Sequence, residues 1–411
     1  MARMLLENAT LLDVDAGVSR PGHSVLVDED RITGVEPGPI AAEGARRIDL
    51  GGRTLMPGLI DAHVHVAITT MNLAAMEQRP VTLVSQEARV ILERMLMRGF
   101  TTVRDAGGAD WGLTEAVERG LIQGPRIFHS GRVLSQTGGH GDFRSRVETP
   151  SVCACGAHTS AFSHVVDGVA SVRRAAREEL RRGATQVKIM ASGGVASPTD
   201  PIANLQYSPD EMRAAVEEAE GWGTYAMAHA YTPGAITRAV RAGVRTIEHG
   251  NLIDTATADL MAEHGAFLVP TLVTYFKIDE LGRRLGFPEV SQRKVKDVLD
   301  AGLASLTLAR SAGVPMGFGT DLLGETHDHQ SEEFTIRSKV LPPAEVIRSA
   351  TRVNAEILGR AGELGVVAPG AMADLLVVDG DPLADVSVLA DPESRIALIL
   401  KGGAIVRDEL G

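Results

Sequence analysis

The chain reads GLIDAHVH from Gly58 to His65, an apolar stretch that ends in two histidines. The apolar residues predict a buried β-strand. Because side chains two positions apart on a strand point to the same face, the imidazoles of His63 and His65 leave the strand end on one side. They would lie close enough to bind one metal ion, although a His-x-His pair in a strand can also be ordinary packing.

Strand-like and helix-like patterns alternate through the middle of the chain. Helical patterns separate most of eight apolar, β-rich runs, which lie near residues 57–66, 100–105, 126–131, 186–191, 225–230, 246–249, 267–272 and 315–320. Eight strands alternating with helices is the pattern of a (β/α)8 TIM barrel. We therefore predict an α/β fold with a catalytic barrel over residues 57–362.

The two ends of the chain have a different character from its middle. Residues 1–56 and 363–411 contain short strand-like runs separated by Gly, Pro and Asp turns. We predict that both ends join in one small β-sandwich domain, which would also bring the termini together.

Composition and charge exclude several classes of protein. A formal net charge of −12 argues against nucleic acid binding, which needs a basic surface. The two cysteines, Cys153 and Cys155, are too close in sequence to bridge readily, so we expect no disulfide framework. No run of about 18 apolar residues occurs, and Glu7 interrupts the apolar start of the chain. We predict a cytoplasmic protein that does not bind membranes.

Polar side chains mark the C-terminal ends of the predicted strands, which is where barrels of this class place their active sites. The residues that share this placement are His65, Asp105, Lys188, His229, His249 and Asp321. Taken singly, the two later histidines could be buried structural residues and the last aspartate could cap a helix. Their common position at the strand ends favours metal ligands.

A lysine inside an apolar strand needs an explanation, because burying an ammonium is costly. Lys188 lies within the apolar run 186–191. Its ammonium could extend to the strand end and reach water. Alternatively, burial keeps the amine neutral and carbon dioxide carbamylates it, which creates an anionic oxygen ligand able to bridge two metals. We favour the second interpretation.

With these residues in place, the chain resembles the amidohydrolase superfamily in its binuclear, carboxylated-lysine branch. Within that branch it is most similar to the group of Xaa-Pro dipeptidases (prolidase-like) and Xaa-Arg/Lys carboxypeptidases. The segments that carry the similarity are 138–144, 186–194, 206–208, 229–232 and 330–334.

The resemblance implies a ligand set for two divalent metal ions. His63, His65 and Asp321 would bind the α metal, and His229 and His249 would bind the β metal. Lys188, as N6-carboxylysine, would bridge them. Histidine nitrogens with carboxylate-type oxygens suit Zn²⁺, although manganese or cobalt could substitute.

The resemblance also implies a reaction, the hydrolysis of an amide or peptide bond in a dipeptide or N-acyl amino acid. A hydroxide bridging the metals would attack the carbonyl, with Asp321 as general base and then as general acid. His140 and Tyr231 would bind the substrate carboxylate or the transition-state oxygen. Arg144 could also bind the carboxylate, because its guanidinium matches that group bidentately, or it could form a surface salt bridge.

Other hydrolytic reactions remain open for the same site, including phenylurea or carbamate cleavage, lactam opening and organophosphate ester hydrolysis. A non-catalytic scaffold is disfavoured because all six ligand positions are filled, and Lys188 disfavours a one-metal deaminase-like enzyme. The resemblance of this chain to that group of peptidases implies a homo-oligomer. Tyr275 and Phe276 follow the seventh strand and could line an apolar pocket.

A long, strand-poor segment over residues 135–165 follows the third predicted strand. Long loops of this kind are usually functional, so we predict an active-site lid. Within it, Cys153, Cys155 and His158 could form a further metal site or could simply pack within the loop.

Overall fold

The computed structural model describes residues 3–76, 79–144, 162–197 and 199–410. The strands are β1 (Met4–Asp13), β2 (Val18–Asp28), β3 (Arg31–Pro37), β4 (Arg46–Asp49), β5 (Thr54–Pro57), β6 (Leu59–Val64), β7 (Phe100–Asp105), β8 (Arg126–His129), β9 (Val133–Ser135), β10 (Ser163–Val165), β11 (Val187–Met190), β12 (Ala226–Ala230), β13 (Thr246–His249), β14 (Phe267–Val269), β15 (Leu375–Val378), β16 (Ile396–Lys401) and β17 (Ala404–Asp408).

The helices are α1 (Leu73–Met76), α2 (Val81–Met97), α3 (Trp111–Glu118), α4 (Val169–Arg181), α5 (Pro209–Gly221), α6 (Pro233–Arg241), α7 (Thr255–Glu263), α8 (Leu272–Leu281), α9 (Glu289–Ser311), α10 (Glu332–Arg337), α11 (Pro343–Arg348), α12 (Asn354–Ile357) and α13 (Pro392–Arg395). None of these helices combines the length and the apolar composition that crossing a bilayer requires.

One compact unit contains Met1–Asp61, Glu93–Val103 and Ser331–Gly411. Its strands form a mixed eight-stranded sheet in the order β17-β16-β15-β5-β1-β2-β3, and β4 pairs with β1. The antiparallel pairing of β15 with β5 places a strand from the C-terminal part of the chain beside one from the N-terminal part. Buried Leu, Val and Ile side chains from both parts share one apolar core.

The second compact unit contains Ala62–Leu92 and Arg104–Gln330. It holds a parallel six-stranded sheet in the order β10-β9-β11-β12-β13-β14. Every residue of β11, β12 and β13 is buried, as expected for parallel strands that are covered on both faces.

Helices α5, α6 and α7 connect the successive strands from β11 to β14. Their starts are fixed by polar caps, because Ser208, Thr232 and Asp254 each accept a hydrogen bond from the first turn of the helix that follows. These helices return the chain to the same end of the sheet each time, so the carboxyl ends of β11, β12 and β13 lie at one edge.

The predicted eighth strand is an extended segment without an assigned strand. Its backbone bonds to β14, where Gly317 N donates to Leu268 O at 2.8 Å, and to β6, where Ala62 N donates to Phe318 O at 2.8 Å. Strands β6, β7 and β8 form a separate three-stranded sheet. The alternation of strands and helices confirms the predicted α/β class. Within the described residues, however, the strands are divided between separate sheets and do not form one closed barrel.

The predicted lid over residues 135–165 is bordered by strands. Its ends belong to β9 and β10, which pair in parallel with Ser163 opposite Val133. Cys153, Cys155 and His158 lie outside the described residues.

Candidate metal centre

One cavity in the second unit brings together all six side chains that the sequence marks as ligands. Strand β6 and the residue after it supply two of them, β11, β12 and β13 supply one each, and the segment after β14 supplies the last. These cavity-lining residues are His63, His65, Lys188, His229, His249 and Asp321. Five of the six are buried, and the side chain of the aspartate is 19% exposed.

Asp321 lies at the centre of the cluster. Its Oδ1 is 3.1 Å from His65 Nε2 and 3.4 Å from His63 Nε2, and its Oδ2 is 3.9 Å from His249 Nδ1. The ring of His229 lies next to that of His249, with 4.6 Å between the ring centroids. One ligand atom from each of His63, His249 and Asp321 lies within 4.8 Å of the other two, a spacing at which these atoms could hold a metal ion.

Hydrogen bonds on the far side of two rings set their tautomers. His65 Nδ1 donates to Gly107 O at 2.8 Å, and His229 Nε2 donates to Gly193 O at 3.2 Å. A carbonyl oxygen can only accept, so these nitrogens carry the proton. In the neutral form of each ring, the opposite nitrogens, Nε2 of His65 and Nδ1 of His229, carry the lone pair that a metal ion requires.

Burial keeps the two later histidines neutral. It lowers the pKa of His229 and of His249 well below the ordinary value. Asp321 behaves in the opposite way, because burial would raise its pKa but the neighbouring His63 and His65 outweigh that effect and lower it well below the ordinary value. Neutral imidazoles and an ionised carboxylate are the forms that bind divalent metals.

Lys188 is 1% exposed, so its ammonium does not reach the solvent. Among the described residues, no hydrogen bond or salt bridge to this ammonium is found. Burial lowers its pKa to about 8, although the charges of Glu248 and Asp321 oppose the shift. The amine is therefore partly neutral near physiological pH, which is the nucleophilic form.

The backbone is unusual at two of the six residues. His249 has φ 73° and Asp321 has φ 53°, which lie in the left-handed backbone region that residues other than glycine rarely adopt. Such conformations cost on the order of 1–3 kcal/mol each and are concentrated at functional sites. Asp321 N donates to His63 O at 2.8 Å, which holds the strained residue beside the histidines.

Two further predicted residues, His140 and Tyr231, line the same cavity. The ring of His140 stacks on His229 at 4.2 Å, and the ring of Tyr231 stacks on His249 at 5.2 Å. The hydroxyls of Tyr231 and Tyr275 are 2.7 Å apart. Burial raises the pKa of Tyr231, so its hydroxyl stays protonated and can donate a hydrogen bond.

Arg144 and Phe276 do not line the cavity. The guanidinium of Arg144 donates to Asp142 at 2.6 Å and 2.5 Å, so its fork is occupied by a carboxylate two residues away. Tyr275 does line the cavity, together with an apolar group that consists of Ile68, Leu73, Phe143, Phe162, Val195, Ala196, Ile278 and Leu323.

Sequence reasoning missed two groups of supporting residues. Glu248, directly before a predicted ligand on β13, is fully buried and accepts a hydrogen bond from His63 Nδ1 at 2.7 Å. Ser197 contacts His140 Nδ1 at 2.7 Å and donates to Asp200. The position of Glu248 inside a predicted strand was a usable signal, whereas nothing in the sequence around Ser197 marks its role.

The family comparison agrees with this geometry. A model of the amidohydrolase family matches residues 54–405, which is most of the chain. The protein belongs to the amidohydrolase family. We accordingly assign it as a hydrolase that acts on amide bonds of small molecules, in a family that typically binds metal, and its cluster of histidines and aspartate is compatible with that property.

Three relatives illustrate the range of similarity. A prolidase solved in complex with N-methylphosphonate-L-proline is 55% identical, with a TM-score of 0.97, and the match covers 99% of this chain and 100% of that one. A Xaa-Pro dipeptidase with bound methionine is 29% identical, with a TM-score of 0.88 and coverage of 99% and 100%. Ochratoxinase from Aspergillus niger is 30% identical over 86% of this chain and 75% of that protein.

The packing around Gly194 gives a test of the position of His140. A Cβ atom at residue 194 would lie 2.2 Å from the His140 ring, so Gly194→Ala must displace that ring. If His140 contacts the substrate as predicted, amide hydrolysis by this variant should fall roughly 10- to 100-fold in kcat/KM, because small displacements of such groups have effects of this size. The measurement is steady-state kinetics with a circular dichroism check of folding.

Gly221→Ala is the matched control, because a Cβ at that position in α5 meets no atom within 4 Å. This variant should keep the wild-type kcat/KM. Equal activity of Gly194→Ala and Gly221→Ala would contradict the predicted contact between His140 and the substrate.

Proposed function

We propose that this protein is a metal-dependent amidohydrolase that cleaves the amide or peptide bond of a dipeptide or an N-acyl amino acid. The observation that carries the proposal is the convergence of six potential ligands on one buried cavity. The 55% identity to a prolidase in complex with N-methylphosphonate-L-proline makes Xaa-Pro dipeptides and N-acyl prolines the first substrates to test. The apolar residues that line the cavity favour substrates with hydrophobic acyl groups.

The donor set supports two divalent metal ions, and we propose zinc. Histidine nitrogens and carboxylate oxygens are ligands that zinc accepts. We assign His63, His65 and Asp321 to one ion and His229 and His249 to the other. The buried amine of Lys188 would, once carbamylated, be a further anionic ligand for the ions, and this would give the side chain contacts that replace the hydrogen bonds it does not form within the described residues.

Bound in this cavity, the ions would ionise a water molecule near neutral pH and polarise the substrate carbonyl. The protein's own residues supply the proton transfer and the orientation. Asp321, ionised at neutral pH, accepts the proton of the attacking water and later donates it to the leaving nitrogen. Tyr231 and His140 hold the substrate carboxylate or the oxygen that develops negative charge. Arg144, paired with Asp142, is the weaker candidate for the carboxylate.

We propose that residues 57–362 form a closed (β/α)8 barrel and that residues 1–56 and 363–411 form a β-sandwich. Backbone bonds beyond the assigned ladders support the barrel. Thr185 N donates to His129 O at 2.8 Å and so links β8 to the start of β11, while the segment near Phe318 links β14 to β6. Sharing of one sheet by strands from both ends of the chain supports the composite domain.

A second candidate function keeps the fold and the metals but changes the substrate. The 30% identity to ochratoxinase makes an ochratoxin a candidate substrate, and phenylureas, carbamates, lactams and organophosphate esters belong in the same screen. Kinetics on N-acyl amino acids, dipeptides and these compounds, with metal analysis of the same preparation, distinguish the two candidates. Homo-oligomeric assembly and a cytoplasmic location stay predictions.

Replacing the proposed proton-transfer residue should separate catalysis from metal binding. Asp321→Asn should keep most of its metal and lose roughly 100- to 10,000-fold in kcat, the range typical of a lost general base. Steady-state kinetics and elemental analysis on the same sample measure both effects.

Asp254→Asn is its control. Asp254 accepts the hydrogen bond that caps α7, and asparagine is an equally good cap, so activity should be unchanged. Wild-type turnover by Asp321→Asn would end the assignment of this residue as the general base.

The lowered pKa of Lys188 predicts a pH dependence for carbamylation. Only the neutral amine reacts with carbon dioxide. The neutral fraction of Lys188 falls roughly tenfold for each pH unit below its pKa of about 8 and levels off above that pKa. We expect the zinc-dependent reactivation rate of metal-stripped enzyme to follow this profile between pH 6 and 9 at constant dissolved carbon dioxide.

Lys188→Arg should not be reactivated under the same conditions, because a guanidinium stays charged. Reactivation of the wild type at a rate independent of both pH and carbon dioxide would contradict the carbamate.

A further inference from the structure

Glu248 lies beneath the candidate metal centre on β13 and is fully buried. Its Oε2 accepts a hydrogen bond from His63 Nδ1 at 2.7 Å and one from Arg104 Nη2 at 3.0 Å. Its Oε1 accepts from the same Arg104 nitrogen at 2.9 Å and from Thr246 Oγ1 at 2.6 Å. The carboxylate is therefore surrounded by donors within the second unit.

Arg104 holds this carboxylate in place. It is itself fully buried, and it donates through Nε to Ala62 O at 2.6 Å and through Nη1 to Thr246 Oγ1 at 3.1 Å. Since Thr246 accepts from Arg104, its own hydroxyl proton is directed to Glu248. The orientation of every group in this network is thus determined by a partner.

The hydrogen-bond pattern decides the tautomer of His63. Glu248, which carries no proton in this network, can only accept, so His63 Nδ1 must donate. The lone pair then lies on Nε2, which is 3.4 Å from Asp321 Oδ1 and faces the cavity. A carboxylate on the far nitrogen also makes an imidazole a stronger donor to a metal ion.

His63 differs in this respect from the other three ligand histidines. In the part of the chain that the structure describes, the far nitrogens of His65 and His229 bond to carbonyl oxygens, and His249 Nδ1 lies 2.8 Å from Thr271 Oγ1. These partners are neutral oxygens. Glu248 supplies the charged partner in the set.

We propose that Glu248, held by Arg104, is a positioning residue that sets the affinity of the ion bound by His63. The proposal rests on the metal site assigned above and adds a residue that acts through a ligand. Removing the charge of Glu248 should weaken the binding of one metal ion selectively. The two histidines assigned to the other ion, His229 and His249, form no hydrogen bond to Glu248 among those that the structure describes.

The test compares zinc retention by wild-type enzyme and Glu248→Gln. The purified holoenzymes are equilibrated against increasing concentrations of a zinc chelator, and the zinc remaining per chain is measured by elemental analysis. We expect one of the two ions in Glu248→Gln to leave at a free-zinc concentration roughly 10- to 100-fold higher than in wild type, with the other little changed. The reason is that the carboxylate accepts hydrogen bonds from three residues, His63, Arg104 and Thr246, whereas a glutamine amide offers only one oxygen to accept them.

Glu333→Gln is a matched control from the other compact unit. Glu333 and Arg337 are also fully buried and ion-paired, at 2.7 Å, and neither lines the cavity. This variant should lower the melting temperature and keep wild-type zinc retention. A general effect of breaking a buried ion pair would instead weaken zinc retention in both variants and would overturn the proposal.

Thr246→Val provides a milder change should Glu248→Gln not fold, because it removes only the hydroxyl that donates to Glu248. It should weaken retention of the same ion by a smaller factor. Wild-type retention in every folded Glu248 and Thr246 variant would overturn the proposal. Wild-type enzyme that binds no zinc at all would instead refute the proposed metal site itself.

Discussion

Parallel strands that end at a common edge are the constraint on which this site depends. Strands β11, β12 and β13 are fully buried, so every polar side chain on them must either reach the cavity or find a partner inside the protein. Each polar group there must still find a partner. Gly107 and Gly193 provide carbonyl oxygens for two imidazoles, and Glu248 provides a carboxylate for a third. With these partners on one nitrogen of each ring, the other nitrogen is the one that can bind a metal ion.

The electrostatics of the cavity follow from the same burial. Burial lowers the pKa values of His229, His249 and Lys188, and the neighbouring histidines keep the pKa of Asp321 low, so these side chains favour the protonation states that bind metal ions. The strained φ angles of His249 and Asp321 are further signs that the local backbone serves the geometry of the site rather than stability alone.

The sequence was sufficient to predict much of this arrangement. Side-chain alternation in GLIDAHVH placed His63 and His65 on one face, and apolar runs ending in His229 and His249 located the other strand ends. What it could not predict were contacts between distant segments. The partner of Arg144 is Asp142, only two residues away, but the choice between that carboxylate and a substrate depends on where the loop lies.

The same limit applies to the supporting residues and to the fold. The strand position of Glu248 marks it as unusual, but its role is not readable from the sequence until its pairing with Arg104, 144 positions away, is known. Likewise, residues 315–320 have the composition of a strand, yet the backbone bonds there without forming a regular ladder. Periodicity reports which face of a strand a residue occupies, but not how regular its pairing is.

Anomalous diffraction from crystals grown with zinc tests the central claim most directly. The account predicts two zinc peaks in the cavity, one beside His63, His65 and Asp321 and the other beside His229 and His249, with density for a carbamate on Lys188 between them. A cavity that binds no zinc while Lys188 remains an unmodified amine would contradict it.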